Sequence, residues 1–241
     1  MRQAVVLAGG LGTRIAPLSG GVPKVLLPVG GRPFIEHLFG SLQREGISEV
    51  VLLLGHKADE VSAAARSVCP GGITIRESVE TSPLGTGGAL KQAEGLLDER
   101  FLMMNGDTFL DLDVKSFERL HDVAVPEGVV ATLALVRHPA AGEKGAVTMG
   151  PDGEIASFRE KGLEGPGLIN AGVYAVERSG LADIEAGRPV SLEREVFPVW
   201  MKKAGGHGLQ GVITDAWFLD IGLPEDYLKV KDGFPRGGRQ A

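Results

Sequence analysis

The run Gln3-Ala4-Val5-Val6-Leu7-Ala8-Gly9-Gly10-Leu11-Gly12-Thr13-Arg14 decides how this chain folds. Its first six residues are mostly apolar and partly β-branched, without polar alternation, which is the pattern of a parallel strand buried on both faces. The glycines that follow end the strand and open a loop. In an open α/β sheet such a loop leaves the carboxyl end of the strand, where ligands bind, and glycines let backbone N–H groups approach an anion closely. Arg14 follows at once, and Lys24 ten residues later behind Val22-Pro23. A forked guanidinium and a point-charge ammonium suit a polyphosphate. A phosphate-bearing ligand is the physical inference, set against the plainer alternative of a glycine turn with two solvated cations. The loop is not a P-loop, because no G-K-[ST] follows. Nor is it a dinucleotide fingerprint, because G-x-G-x-x-G counted from Gly10 requires glycine where the chain has Ile15. The missing glycine argues against a nicotinamide dehydrogenase.

Outward from this loop, helical and strand patterns alternate. Pro33 opens a predicted helix with Phe34, Leu38 and Leu42 on one stripe. Residues 49–54 read as a second buried strand, 58–68 as a helix, 73–79 as an alternating strand and 87–97 as a helix. Residues 101–104 form a third core strand, stopped by Asn105-Gly106-Asp107. This order predicts an α/β fold, a Rossmann-like, mostly parallel mixed sheet flanked by helices. Asp107, at a strand end, suits either a metal ligand or an Asx-turn residue, and Asp113 suits the N-cap of a helix carrying Phe117 and Leu120. Beyond about residue 125, strands joined by short turns take over at 129–136, 145–149, 155–159 and 167–176. An amphipathic helix near 192–203, strands near 208–213 and 216–220 and a helix from Pro224 complete the pattern.

Composition narrows the function. The 241 residues carry 25 Lys+Arg against 31 Asp+Glu, a net charge of −6. Capture of nucleic acid or an anionic membrane needs a basic surface, so neither partner is expected. Cys69 is the single cysteine and can form neither an internal disulfide nor a structural zinc site, which points to a reducing compartment. The N-terminal apolar stretch is too short for a secretory signal, and no apolar run reaches membrane-spanning length. The cytoplasm is the expected location. His37, His56, His121, His138 and His207 lack metal-ligand spacing.

The run L-A-G-G-L-G-T-R at 7–14, with Pro17-Leu18 and Pro23-Lys24, resembles the opening of the sugar-1-phosphate nucleotidylyltransferases. These enzymes join a nucleoside triphosphate to a sugar 1-phosphate and release pyrophosphate. The likeness continues in order through Pro83-Leu84-Gly85-Thr86-Gly87-Gly88-Ala89, Asn105-Gly106-Asp107-Thr108, Glu160-Lys161, Asn170-Ala171-Gly172-Val173-Tyr174 and Asp220-Ile221-Gly222-Leu223-Pro224-Glu225-Asp226-Tyr227. Within the family it is most similar to the short D-glycero-D-manno-heptose 1-phosphate and mannose-1-phosphate guanylyltransferases.

The resemblance implies a nucleotide-diphospho-sugar transferase fold of glycosyltransferase-A-like type. It implies one domain over 1–230, with a nucleotide-binding half to about 125, a sugar-phosphate-binding half from about 126, and a flexible tail over 231–241. It assigns Leu7, Ala8, Gly9, Gly10, Gly12 and Thr13 to the nucleotide, and Arg14, Lys24 and Asp107 to catalysis. Asp107 and Asp220 would share one Mg²⁺. Glu80, Gly85 and Thr86 would meet the base and ribose, with Gly87 beside them. Relatives that use uridine or thymidine triphosphates carry glutamine near Glu80, and an ionised carboxylate instead accepts both N1–H and the N2 amino group of guanine, which favours GTP. Glu160, Lys161, Asn170 and Gly172 would hold the sugar phosphate. Leu223 departs from the threonine of many relatives, and no C-terminal hexapeptide repeat is found. The partners implied are a nucleoside triphosphate and a sugar 1-phosphate, with a homo-oligomer left open because family members vary. A non-catalytic sugar-nucleotide sensor is the alternative from another class.

Overall fold

The computed structural model describes residues 1–141, 145–158 and 165–234. Among these the strands are, in chain order, β1 Gln3–Leu7, β2 Pro28–Val29, β3 Arg32–Pro33, β4 Glu49–Leu54, β5 Thr74–Val79, β6 Arg100–Asn105, β7 Thr108–Leu110, β8 Ala131–His138, β9 Ala146–Met149, β10 Ile155–Phe158, β11 Gly167–Glu177, β12 Leu209–Ile213 and β13 Phe218–Asp220. β1 lies between β4 and β6, with β5 outside β4, and these four strands are parallel. Successive residues of a strand point to opposite faces, so a strand buried on both sides serves two cores. Ala4, Val6, Val50, Leu52, Leu102 and Met104 pack on one side with Phe34, Leu38, Val61 and Phe117 from three helices. Val5, Val51, Leu53, Phe101 and Met103 pack on the other with Leu90, Phe197 and Trp200. Helices therefore cover both faces, as the sequence pattern requires.

β11 turns the sheet antiparallel. Its second half pairs with β6, its first half pairs with β9 on the same edge, and β8 runs along the opposite edge. The register against β8 slips between Asn170 and Tyr174, and Gly172 in this bulge has φ +68°. β10 extends the sheet from β9, and β12 lies parallel to β8.

Several boundaries moved for identifiable reasons. The helix expected over 87–97 spans Gly85–Gln92. The Val190 carbonyl accepts from Gly87 N–H (2.8 Å) and Gly88 N–H (3.3 Å), satisfying first-turn donors that a helix start otherwise leaves unpaired. The helix near 192–203 is instead a wide i→i+5 turn, Leu192–Val196, running into Phe197–Trp200. Pro198 has no N–H to give the carbonyl four residues back, which opens the turn. Asp113 caps the Val114–Ala124 helix as expected, accepting from Ser116 N–H (3.0 Å). That helix turns His121 inward rather than Leu120. His121 reaches Thr132 Oγ1 (2.8 Å) and Glu177 (3.1 Å), and burial holds its pKa below the ordinary histidine value.

Of the tail expected to be flexible over 231–241, Lys231 to Phe234 pack against the body of the chain, and residues 235–241 lie outside the described residues. Gly30 N–H donates to the Lys231 carbonyl (2.9 Å), and Tyr227 Oη donates to the Pro28 carbonyl (3.0 Å), so the β2–β3 hairpin and the Pro224–Val230 helix hold each other. The Phe234 ring lies 5.0 Å from both Phe109 and Trp217 and 4.6 Å from His37. No helix among the described residues is long and apolar enough to cross a membrane.

Gly88 tests the packing of the Gly85–Gln92 helix. Alanine in a helix interior is ordinarily favoured over glycine by about 1 kcal/mol, but a Cβ here would stand 2.6 Å from the Arg188 carbonyl oxygen. Gly88→Ala is expected to destabilise by about 1–3 kcal/mol, read as a lower denaturant midpoint at unchanged slope. A higher midpoint would show that the 188–190 segment yields freely.

Candidate active site

The parallel strands end in a cleft of about 700 Å³. Its floor is the β1 end and the loop that follows, Leu7 to Arg14, with Lys24 and Val25 beneath. Its walls are 53–56 after β4, 80–83 after β5, Gly85 and Thr86, the 105–107 turn after β6, and Glu193. The loop lies close to its neighbour: a Cβ on Gly9 would be 3.0 Å from the Gly55 nitrogen. His56 lines the cleft and donates its backbone N–H to the Gly9 carbonyl (3.2 Å). Arg14 stands exposed on the rim.

At one end of the cleft three charged groups converge. Lys24 Nζ donates to Asp107 Oδ2 at 2.5 Å, with only 17% and 16% of the two side chains exposed. Asp220 reaches the same place from a different part of the chain. The strand pair β7–β13 sets Thr108 opposite Asp220, and Ile221 N–H donates to the Asp107 carbonyl (2.9 Å). Gly222 N–H donates to Asp220 Oδ1 (2.7 Å). A Cβ on Gly222 would lie 2.8 Å from Asp107 Oδ2, 2.8 Å from Asp220 Oδ1 and 3.4 Å from Lys24 Nζ. Two hard oxygen donors thus face a space kept clear by a glycine, and this donor set fits a divalent cation such as Mg²⁺.

Glu80 lies at the other end. Its Oε2 accepts from Leu84 N–H (2.9 Å), holding the 81–84 turn. Its Oε1 lies 3.4 Å from where a Gly9 Cβ would be and 2.4 Å from where a Gly55 Cβ would be. The carboxylate therefore rests against two side-chain-free positions of the cleft wall. Gly85, with φ +67°, starts the next helix. A Cβ there would meet the Val190 carbonyl oxygen at 2.6 Å, so the glycines of this run are required by the close passage of 188–190. Thr86 Oγ1 accepts from Leu192 N–H (2.8 Å) and donates to Glu193 Oε2 (3.4 Å).

Asn170 and Gly172 stand behind this cleft. The Asn170 amide donates to Tyr174 Oη (2.8 Å), and its oxygen accepts from Gly172 N–H (3.0 Å). A Cβ on Gly172 would be 2.6 Å from Asn105 Nδ2, so the β11 bulge supports Asn105, which does line the cleft. Burial raises the Tyr174 phenol well above its ordinary pKa. Glu160 and Lys161 lie outside the described residues. Glu193 and Asn105 were not singled out from the sequence. Asn105 carried a signal, its place at a core strand end beside Asp107, whereas Glu193 reaches the cleft only through the fold.

Residues 3–235 match the family model described as nucleotidyl transferase, and the chain belongs to this family, as its ordered motifs led one to expect. It is 32% identical over 225 residues to the D-glycero-alpha-D-manno-heptose 1-phosphate guanylyltransferase of Campylobacter jejuni, covering 93% of this chain and 96% of that one. It is 34% identical over 237 residues to the mannose-1-phosphate guanylyltransferase of Mycobacterium tuberculosis, covering 98% of this chain and 65% of that longer one. The crystal structure of HddC from Yersinia pseudotuberculosis complexed with GMP-PN matches with a TM-score of 0.82 at 32% identity, over 96% of this chain and 99% of that chain.

Thr86→Val removes the acceptor of Leu192 N–H while keeping the side chain's shape. Stability is expected to fall by about 1–3 kcal/mol, measured by denaturant unfolding. An unchanged midpoint would mean that the 191–193 turn holds without Thr86.

Proposed function

We propose that this protein is a sugar-1-phosphate guanylyltransferase, transferring GMP from GTP to D-glycero-α-D-manno-heptose 1-phosphate with release of pyrophosphate, as a single unit over 1–230. The observation that carries the reading is the meeting of Lys24, Asp107 and Asp220 around Gly222 at the edge of a glycine-loop cleft. In the reaction an oxygen of the sugar phosphate attacks the α-phosphorus of GTP, and the bond from that phosphorus to the bridging oxygen of pyrophosphate breaks. Two polyanions must be brought together, so catalysis is positioning and neutralisation of charge. The attacking phosphate is already ionised, and no general base is needed.

The backbone of Leu7, Ala8, Gly9, Gly10, Gly12 and Thr13 lies along the triphosphate, with Arg14 on its outer oxygens. Lys24 balances charge developing on the α-phosphate. Asp107 and Asp220 would hold Mg²⁺, which when bound supplies neutralisation of the phosphate oxygens. Glu80 is oriented by the Leu84 N–H and accepts from N1–H and the N2 amino group of guanine, while Gly85 and Thr86 shape the base and ribose wall. Glu160 and Lys161 take the sugar and its phosphate, while Asn170 and Gly172, behind the cleft, act on it only by supporting Asn105. The cytoplasm, where nucleoside triphosphates are abundant, suits a chain whose single cysteine has no disulfide partner. A sensor without turnover would be expected to lose one of these charges, and Arg14, Lys24, Asp107, Lys161 and Asp220 are all retained.

Pyrophosphate release is the direct test, run with Mg²⁺ over four nucleoside triphosphates and the 1-phosphates of glucose, mannose, N-acetylglucosamine and the heptose. Turnover is expected with GTP and the heptose 1-phosphate. Silence across the grid, with GTP still stabilising the protein to heat, would favour the sensor. Lys24→Ala is expected to lower kcat by about 100- to 1,000-fold with the fold intact, and near-normal turnover would remove Lys24 from the chemistry. Glu80→Gln should move the base preference from GTP toward UTP or dTTP, measured as relative kcat/KM. An unchanged profile would take Glu80 out of base recognition.

A further inference from the structure

The Lys24 ammonium and the proposed cation have claims on the same atom. Lys24 Nζ sits 2.5 Å from Asp107 Oδ2, and that oxygen, with Asp220 Oδ1, faces the point where a side chain on residue 222 would begin. The ammonium lies 3.4 Å from this point. A divalent ion drawing on Asp107 Oδ2 cannot leave Lys24 where it stands, because the oxygen would be shared between two cations in contact, and their repulsion is strong in a site this enclosed. Lys24 has somewhere to go: a Cβ on Gly12 would be 3.7 Å from both Cβ and Cε of Lys24, so its stem already runs beneath the glycine loop, where a polyphosphate is expected.

We infer that Lys24 is a placeholder for the metal. Its ammonium and a divalent cation occupy the Asp107–Asp220 cradle alternately, the nucleotide's phosphates draw Lys24 out, and Gly222 is the positioning residue that keeps the cradle wide enough for either. This rests on the reading of the cleft as a triphosphate site. Without Lys24, Asp107 Oδ2 would lose the ammonium that donates to it, beside the Asp220 carboxylate. With Lys24 in place, metal alone binds weakly, and metal and triphosphate bind in a mutually reinforcing way, because the phosphates supply the acceptor that Lys24 gives up. Coupling of this kind is reciprocal and of measurable size. A side chain at 222 would fill the cradle, the Cβ of alanine alone reaching 2.8 Å from both oxygens.

The experiment measures Mn²⁺ affinity by electron paramagnetic resonance, with and without a non-hydrolysable GTP analogue, on the full chain. Lys24→Met is expected to bind Mn²⁺ alone at least about tenfold more tightly than the unsubstituted protein, and to show a smaller further gain with the analogue. Arg14→Met removes one positive charge from the exposed rim without vacating the cradle. It should change Mn²⁺ affinity by less than about threefold, since exposed charges are screened. Gly222→Ala should lose Mn²⁺ binding while its melting curve stays cooperative. Should Gly222→Ala fail to fold, the Lys24→Met and Arg14→Met pair decides alone. Equal Mn²⁺ affinity in Lys24→Met and the unsubstituted protein overturns the exchange, as does an equal gain in Arg14→Met. Full Mn²⁺ binding by Gly222→Ala overturns the role of the glycine. If no form binds Mn²⁺ even with the analogue, the metal assignment of Asp107 and Asp220 falls, and this inference with it. If every form binds alike while GTP turnover persists, the inference alone falls.

Discussion

Two carboxylates aimed at one point repel each other, and holding them so needs a positive charge in reach. Lys24 provides it from the loop below, donating to Asp107 at 2.5 Å. The rest of the site is arranged around that contact. The Lys24–Leu26 turn brings the lysine back under the glycine loop, and β6, whose four middle residues are buried, delivers Asp107 just past its end. The short β7–β13 pair then fastens Asp220 opposite Thr108. Each of these elements is small, but each is tied into one of the two cores that flank β1, and so the convergence of three charges is a property of the whole sheet.

The wider electrostatics follow the same division. A chain of net charge −6 attracts a polyphosphate only where cations are gathered beside outward-facing backbone N–H groups. Lys24 pairs with Asp107 at the β6 side of the cleft, while Glu80 stands at the β5 side, against Gly9 and Gly55. A carboxylate near a triphosphate would repel it; a carboxylate facing the hydrogen-bond donors of a base attracts it. On the proposed function, this polarity sets which end of a nucleotide goes where before any particular nucleotide is named.

How much of this was legible in the sequence depends on how local its cause is. β1, β4 and β6 were readable because burial on both faces leaves uninterrupted apolar runs, and Asp113 was readable as a cap because its partner Ser116 is three residues away. β7 was not, because Thr108–Leu110 becomes a strand only by pairing with Phe218–Asp220, more than a hundred residues on. Glu193 entered the cleft through the same kind of distant contact, by way of Thr86. Phe234 lay in a segment whose polar and glycine-rich composition suggested fraying, and one aromatic ring finding Phe109, Trp217 and His37 was enough to seat it. Asp220 comes to stand near Asp107 only through the fold, which no spacing in the chain could show.

The glycines of the Pro83–Ala89 run show why a motif can identify a fold more surely than it identifies a contact. Read as a sequence, Gly85-Thr86-Gly87-Gly88 invites a ligand lying flat on bare backbone. In the structure a Cβ at Gly85 or Gly88 would meet the carbonyl oxygen of Val190 or Arg188 at 2.6 Å, one at Gly87 would stand 3.0 Å from the Val190 side chain, and Thr86 closes the same junction through Leu192. The motif is therefore first a lock between the two halves of the chain. Its effect on a ligand is indirect: it holds Glu193 at the cleft wall, and the turn that leads into it positions Glu80. Any chain that keeps this lock keeps the shape of the cleft, whichever base the cleft receives. On the proposed function, specificity resides in side chains that project from the frame, Glu80 among them, and the frame itself can be shared by transferases of quite different substrates.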